Sequence, residues 1–394
     1  MIRIFLKIPQ VDGFALRTAT LYAAFFAFAG IQMPYLPAWF AAKGLDAREI
    51  GIVLAAGMLI RVVAVSLATR LIDRRFEIKA ALTMAAALSA ALYATMGAAS
   101  GFAAIIAAYA AISIASSPVL PLADSYVLRG LNARGLAYGP VRLWGSVTFI
   151  LANVAGGIFL AVIGAQPLVW VLAAAMAMTA AATLPLPTRP APDEPAFAAK
   201  KSEVGGLWGS AVFMSVAAGA SLIQASHAVM YGFATLQWSA KGLAGTTIGL
   251  LWAIGVVAEI LLFAASGRLM ARIGAVEMIL AGALGAILRW TAMAFDPPAA
   301  LLPILQCLHA LSFGATHLGA MHVLSRLADR HGGATPQGDF SALQGVTFAA
   351  AMGLSGVLVE RLGSFSYLAM SLAAAGGLVI ALVAHRRWRE TDRI

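Results

Sequence analysis

The chain has 394 residues, of which 61% are hydrophobic and only 11% are charged. A soluble domain carries about 25% charged residues, so this composition excludes a soluble domain and indicates a polytopic membrane protein. The formal net charge of +10 would suggest nucleic-acid binding in a soluble protein, but here the positions of the charges decide. The single cysteine, Cys307, excludes an intramolecular disulfide.

Hydrophobic segments of membrane-spanning length follow one another along the whole chain. They lie near 14–40, 48–70, 77–98, 101–128, 138–164, 167–187, 208–238, 245–271, 275–295, 299–328, 340–361 and 364–386. A stretch rich in Pro, Ala and charge, residues 188–207, separates the first six from the last six. The pattern predicts an all-α polytopic membrane protein of twelve transmembrane helices. Residues 1–187 and 208–394 would form two pseudo-symmetric six-helix bundles, joined by a cytoplasmic linker at 188–207.

The basic residues favour one orientation of these helices. With a cytoplasmic N-terminus, most Lys and Arg fall in the N-terminal tail, the even-numbered loops and the C-terminal tail. The opposite loops hold only Lys43, Arg48, Lys241 and Arg361. This asymmetry follows the positive-inside rule and predicts that both termini are cytoplasmic. Basic loops that face anionic lipid explain the net charge without any nucleic-acid partner.

An internal repeat relates the two halves at an offset of 198 residues. Residues 42–45 and 240–243 both read AKGL, and an Ile-Gly pair follows each of them. The same offset places Arg61 of the second segment on Glu259 of the eighth. A half-chain repeat with both copies in the same orientation is typical of six-plus-six transporters.

The fourth and fifth segments carry two charges at or near membrane depth. Residues 121–146 read PLADSYVLRGLNARGLAYGPVRLWGS and hold Asp124 and Arg142. A charge at the bilayer centre costs about 2.5–3.5 kcal/mol on insertion scales and needs a partner or a function. One interpretation is a structural salt bridge. The other is a substrate site, in which Arg142 offers a planar fork for a carboxylate and Trp144 offers an aromatic face.

The second half holds a separate set of titratable residues. Glu259 lies in the middle of an apolar helix, where burial would let it carry a proton at neutral pH. His227 and His309 are suited to proton transfer near neutral pH, although a histidine in a membrane is often a structural hydrogen bonder. Arg289 needs a counter-charge, for which Glu259 is the nearest candidate. The repeat also suggests Arg61 as a partner of Glu259 across the halves. We predict that these five residues couple transport to protons.

Three further residues complete the candidate substrate site. Gln32 and Tyr35 lie where two prolines interrupt the first segment, and Tyr231 lies one turn after His227. An interfacial aromatic belt would explain the first two equally well. No cluster with metal-ligand spacing, P-loop or nucleophile–base pair is present in the sequence. We therefore expect no metal, no cofactor and no enzymatic activity, and an ion gradient as the energy source.

Five stretches together resemble the major facilitator superfamily, and within it the phenylpropionate permease family. They are PLADS (121–125), YGPVRLWGS (138–146), SHAVMYGFATLQW (226–238), GLLWAIGVVAEILLFA (249–264) and LQCLHALSFGATHLGAM (305–321). They cover both halves of the chain. The resemblance implies twelve helices, alternating access and symport of a small organic solute with a proton.

A more distant similarity is to the lactose permease family. The 18-residue step from Asp124 to Arg142 is similar to its substrate-binding acidic–arginine pair. The 20-residue step from Arg289 to His309 is similar to its proton-coupling pair. Ser312 stands where that family has a glutamate one turn after the histidine, so Glu259 becomes the candidate proton carrier.

The sequence thus predicts a proton symporter of the bacterial inner membrane that takes up an aromatic or phenylalkanoic carboxylate. Its partners would be this small molecule, protons and the lipid bilayer, with no obligate protein partner. Symport of a neutral sugar or nucleoside is the alternative within the same class. A permease-like sensor that no longer transports is the alternative from another class, although no appended signalling domain supports it.

Overall fold

The computed structural model describes residues 12–75, 77–190, 208–331 and 335–391. Its regular elements are helical throughout these ranges. The α-helices are α1 (Gly13–Ala42), α2 (Ala47–Arg75), α3 (Ile78–Met96), α4 (Phe102–Ser116), α5 (Val119–Asn132), α6 (Tyr138–Val162), α7 (Leu168–Thr183), α8 (Ala211–Ala225), α9 (Ala228–Ala240), α10 (Gly245–Ile273), α11 (Ala275–Ala294), α12 (Leu302–Cys307), α13 (Thr316–His331), α14 (Thr335–Leu362) and α15 (Ser366–Thr391). A π-helix, Ala310–Ala315, joins α12 to α13.

These helices make twelve rods in the described ranges, because three pairs of consecutive helices continue one another. The pairs are α4 with α5, α8 with α9, and α12 with α13. By length and composition, nine stretches of the described residues could cross a membrane, and the longest, Gln337–Trp388, contains both α14 and α15. The predicted fold class is confirmed. The bundle boundaries stay a prediction, since most of the proposed linker lies outside the described residues.

The 198-residue repeat is visible in the backbone. The second and eighth rods, α2 and α10, begin and end at equivalent positions and are each 29 residues long. Before each rod the chain turns at a glycine with positive φ, 87° at Gly44 and 81° at Gly242. This left-handed conformation is open to glycine at little cost, which explains why AKGL is kept in both copies.

The two halves meet tightly at one end of the molecule. Here α6 crosses α10, and a Cβ built on Gly157 would overlap the carbonyl oxygen of Gly245. On the other side α2 crosses α14, where a Cβ on Gly51 would lie 3.0 Å from Cα of Gly356. Small residues let membrane helices approach this closely. This end, which we call the glycine-closed end, also holds the α1–α2 turn.

Toward the opposite end α10 is less buried. The buried residues of α10 all lie between Gly245 and Gly255, in its first turns. A cavity of about 510 Å³ lies beside the crossing of α2 and α14, where a Cβ built on Gly345 would overlap Cγ2 of Val62. The structure is therefore closed at one end and open at the other.

Candidate functional site

Arg289 is the centre of a buried polar cluster in the second half. Its side chain on α11 is 1% exposed. Its Nη2 donates to Oε1 of Gln306 at 2.6 Å, and its Nη1 donates to Oγ of Ser312 at 3.2 Å and to Nδ1 of His309 at 3.3 Å. A buried guanidinium is tolerated when its donors find acceptors. Three neutral side chains provide them for Nη1 and Nη2, whereas Nε has no hydrogen-bond partner in the described part of the chain.

All three acceptors lie on the rod formed by α12 and α13, and the π-helix explains how both His309 and Ser312 reach Arg289. It begins after His309 and includes Ser312. The wider π turn places both side chains toward Arg289, and π-helical turns occur frequently at functional sites. The seventh rod is also broken, because α8 ends at Ala225 and α9 starts at Ala228. His227 lies in this break and is fully buried.

The hydrogen bonds define the direction of a polar chain. A guanidinium only donates, so Nδ1 of His309 accepts and its Nε2 carries the hydrogen. That Nε2 lies 3.3 Å from Oε2 of Glu259 and donates to it. A second branch leads from Arg289 to Ser312. Ser312 donates to Nε2 of His227 at 3.0 Å, and Nδ1 of His227 donates to the carbonyl of Gln224 at 3.0 Å.

Glu259 is the most exposed member of this cluster. Its side chain is 17% exposed, whereas Arg289 and His227 are enclosed. Glu259 and Arg289 form no direct ion pair; His309 lies between them as donor to one and acceptor from the other. Four of the five predicted proton-coupling residues thus come together, with the fifth, Arg61, elsewhere.

Aromatic side chains surround this polar cluster. The ring of Tyr231 packs beside His227 at 5.7 Å and stacks on Phe348 of α14 at 5.8 Å, with an interplanar angle of 17°. A small cavity of about 20 Å³ touches Tyr231, Trp252, Arg289 and His309. Tyr231, predicted as a substrate residue, therefore lies against the proton-coupling candidates and away from Asp124.

A second polar cluster lies in the first half, around Asp124 of α5. Its Oδ1 accepts hydrogen bonds from Tyr22 Oη at 2.6 Å and from Tyr138 Oη at 3.0 Å. Arg142 forms no direct ion pair with it. The guanidinium instead lies over the ring of Phe26 at 4.0 Å and near that of Tyr22 at 5.6 Å. Tyr22 thus lies between the two charges, and the predicted charge pair is indirect.

Trp144 is not brought to this cluster. It is 56% exposed and belongs to a stripe on α6 with Val147, Leu151 and Ile158. Two residues along a helix are about 200° apart around its axis. Trp144 therefore points away from α1, against which Arg142 packs.

The remaining predicted residues of the first half take separate places. Tyr35 is fully buried and donates to the carbonyl of Asn153 at 2.6 Å, close to the glycine-closed end. Gln32 donates to Tyr93 Oη at 2.9 Å. Arg61 lines the 510 Å³ cavity and makes no hydrogen bond or ion pair with another described residue. It is not placed beside Glu259, its equivalent in the repeat.

Ser312, Gln306, Tyr22 and Phe348 are functional candidates that sequence reasoning missed. Ser312 drew notice only as a departure from a family pattern, whereas it accepts from Arg289 and donates to His227. Tyr22 gave one signal, a hydroxyl inside an apolar run. In the described residues, no three His, Cys, Asp or Glu side chains form a group that could hold a metal ion.

Outside the spans, a polar contact ties three loops of the second half. Lys241 forms an ion pair with Asp296 and lies beside Ser364. Partial burial would raise the pKa of Asp296, but the hydrogen bonds from Lys241 and Ser364 outweigh it and lower this pKa. This contact lies within one half and does not join the two halves.

Comparison with solved structures identifies the class to which this fold belongs. A point mutant of the nucleoside transporter NupG matches 95% of this chain and 99% of its own with a TM-score of 0.82 at 18% identity. A bacterial homolog of the human lysosomal transporter Spinster, inward-facing and occupied, covers 94% of this chain and 96% of its own with a TM-score of 0.75 at 14% identity. The chain therefore has the fold of these transporters, the major facilitator fold.

Sequence comparison then gives the family. The model of the MFS_1 like family matches residues 15–369, and the chain belongs to this family. A probable 3-phenylpropionic acid transporter of Escherichia coli (strain K12) is 29% identical over 365 residues, covering 90% of this chain and 93% of that protein. A maltose permease of Geobacillus stearothermophilus is also 29% identical, over 285 residues and 71% of each chain. The predicted resemblance to major facilitator permeases is confirmed.

Proposed function

We propose that this transporter is a proton-coupled symporter that takes up a small aromatic or phenylalkanoic carboxylate by alternating access. The observation that carries the proposal is the chain Glu259–His309–Arg289. It joins a partly exposed carboxylate to a buried guanidinium through one imidazole. Such intramembrane groups mark proton relays and ion pathways.

The geometry supports a specific protonation cycle. With Glu259 ionised, its carboxylate accepts from Nε2 of His309 and offsets part of the charge of Arg289. When Glu259 takes up a proton, this acceptor is weakened and the cluster carries one more positive charge. A buried positive charge without compensation is costly. Binding of an anionic solute beside the cluster would offset it, which couples solute and proton.

The substrate class rests on a relative and on the aromatic surroundings of the cavity. The phenylpropionic acid transporter is similar over nearly the full length of both chains. Tyr231 and Phe348 offer stacked rings close to His309, and aromatic rings favour stacked or edge-on contacts with one another. We keep Asp124, Arg142, Gln32 and Tyr35 as parts of the pathway in the first half.

A second candidate function is proton symport of a neutral, hydroxyl-rich solute. Asp124 with Tyr22 and Tyr138 offers a carboxylate and two hydroxyls, groups that hydrogen-bond to hydroxyls. The maltose permease and the nucleoside transporter are relatives of that kind by name. Competition by maltose or a nucleoside, but not by 3-phenylpropionate, would select this function.

We also propose that the protein lies in the bacterial inner membrane with both termini in the cytoplasm. The glycine-closed end would then face outward and the 510 Å³ cavity inward. Protons and one small molecule would be its partners, and the proton gradient would replace a cofactor. A sensor would bind ligand saturably and show no flux.

The test is uptake of 3-phenylpropionate into proteoliposomes under an imposed proton gradient. Glu259→Gln should abolish gradient-driven accumulation but keep exchange of labelled for unlabelled solute, because exchange needs no net proton release. Glu360→Gln is the matched control, since this exposed carboxylate lies at the end of α14 outside the cluster. Full accumulation by Glu259→Gln would refute the proposed coupling.

A further inference from the structure

Three arginines, Arg61, Arg142 and Arg289, lie four or more residues inside the ends of the predicted membrane segments, and two of them are linked to a carboxylate through one intervening side chain. Arg289 reaches Glu259 through His309. Arg142 lies near Tyr22, whose hydroxyl donates to Asp124. In these two clusters, positive and negative charges are already matched. The third, Arg61, has no such partner in the described part of the chain.

Arg61 lies on α2 at the wall of the cavity beside α14. This cavity of about 510 Å³ falls in the range of small-molecule sites, about 300–1,000 Å³. Its other described wall residues carry no charge and are Met58, Val62, Val65, Gly338, Ser341, Ala342, Gln344, Gly345 and Phe348. An isolated guanidinium on an otherwise uncharged wall favours an anion.

The nearest acidic residue on the facing helix, α14, has a hydrogen-bond partner other than Arg61. Asp339 follows Gly338 of the cavity wall, but its side chain hydrogen-bonds to Trp208. Tyr93 and Tyr109 are the residues that interact electrostatically with Arg61, and both hydroxyls are neutral partners. The charge of Arg61 is thus not balanced by a described carboxylate.

The opposite wall suits an aromatic body. Phe348 lines the same cavity and stacks on Tyr231, which contacts His309 at 6.4 Å between ring centroids. A solute against Phe348 would be separated from His309 of the proton-coupling cluster by the ring of Tyr231. Gln344 and Ser341, one and two turns before Phe348, add neutral hydrogen-bonding groups.

We propose that Arg61 is the residue that binds the carboxylate of the transported solute, with the aromatic ring of the solute against Phe348. This assignment rests on the proposed function and moves carboxylate recognition from Arg142 to Arg61. Arg61 thereby determines the preference for anions, and Glu259 carries the proton. Guanidinium–carboxylate pairs are frequently bidentate, which lysine does not reproduce.

The experiment compares binding of 3-phenylpropionate and of 3-phenylpropionamide, its uncharged analogue, to full-length protein in nanodiscs at pH 7. Wild type should prefer the acid by about tenfold or more, as expected for a charge-assisted bidentate contact. Arg61→Gln should abolish this preference without changing the affinity for the amide. Arg61→Lys should restore part of it. Arg48→Gln, an exposed arginine on the same helix outside the cavity, should match wild type.

The outcomes separate this inference from the proposed function. If wild type prefers the acid and Arg61→Gln keeps that preference while Arg142→Gln loses it, Arg142 binds the carboxylate and only the Arg61 assignment is overturned. If wild type binds both analogues equally or neither, the carboxylate substrate and the Arg61 assignment are both refuted. Thermal unfolding of each variant shows that it is folded.

Discussion

At the scale of single residues, position around the helix axis separates functional side chains from structural ones. Arg142 and Trp144 are neighbours in sequence, yet one packs on Phe26 and the other lies on an exposed stripe. Ser312 has an ordinary side chain but links Arg289 to His227 because the π-helix turns it inward. The residue types suggested which contacts these side chains could make. Their orientation around the helix axis decides whether the side chains reach the polar clusters.

Removal of the Ser312 hydroxyl should destabilise the second half. Ser312→Ala leaves a donor of Arg289 and a ring nitrogen of His227 without this partner, at a cost of about 1–3 kcal/mol. Thermal unfolding of the detergent-purified protein measures the effect. Thr20→Ala is the control, because its exposed hydroxyl bonds only to the carbonyl of Leu16 in its own helix. Equal unfolding temperatures for both variants would contradict the proposed role of Ser312.

Replacement of Trp144 should leave solute recognition unchanged. Trp144→Phe keeps an apolar ring on the exposed stripe, so the apparent KM for uptake should stay within about twofold of wild type. Tyr22→Phe should raise it, since this change removes the 2.6 Å hydrogen bond to Asp124. A large rise in KM for Trp144→Phe alone would place Trp144 in the solute pathway.

At the scale of elements, glycines and helix breaks position the two polar clusters. The glycine contacts between α6 and α10, and between Gly51 of α2 and Gly356 of α14, bring the halves together at the glycine-closed end. The break before α9 and the π-helix after His309 turn polar side chains toward Arg289. These irregularities cost helical hydrogen bonds and are tolerated where neighbouring groups satisfy them.

An added methyl group at the α6–α10 crossing should open the glycine-closed end. Gly157→Ala places a Cβ on the carbonyl of Gly245, and overpacking of this kind costs about 1–3 kcal/mol in this state. In a Cys307→Ser background, Met33→Cys at the small central cavity reports access from that end through maleimide labelling. Labelling should accelerate with Gly157→Ala. Gly267→Ala, with nothing within 4 Å of the added Cβ, should leave the labelling rate unchanged.

At the scale of the whole molecule, the closed and open ends correspond to one state of the alternating access that we propose. Burial on α10 ends at Gly255, and the cavity beside α2 and α14 lies further from the glycine-closed end than the contact of Gly51 with Gly356. With cytoplasmic termini this state faces inward. The Spinster homolog that matches the fold was also captured inward-facing.

Cysteine labelling from each side of the membrane tests this orientation. In a Cys307→Ser background, Ser341→Cys should react with an impermeant maleimide in inside-out vesicles and be protected in right-side-out cells. Lys241→Cys, in the loop at the glycine-closed end, should show the reverse pattern. If both patterns are inverted, the positive-inside assignment is wrong and the cavity faces outward.

The sequence by itself determined the membrane class, the order of the helical rods, the repeat and most members of the second-half cluster. These properties depend on hydropathy along the chain and on rare charges in apolar runs, which are local and costly features. The glycine turns before α2 and α10 lie where the AKGL repeats mark them.

Only the tertiary structure decided which polar groups meet. It separated Arg61 from Glu259, replaced the Asp124–Arg142 ion pair by a tyrosine between the charges, and turned Trp144 outward. The physical reason is that lipid surrounds the helices. In a membrane the lipid-facing side of a helix is as apolar as its core-facing side, so the rotation and height of each rod are not encoded in hydropathy. Contacts between rods fix them, and those contacts join residues far apart in the chain.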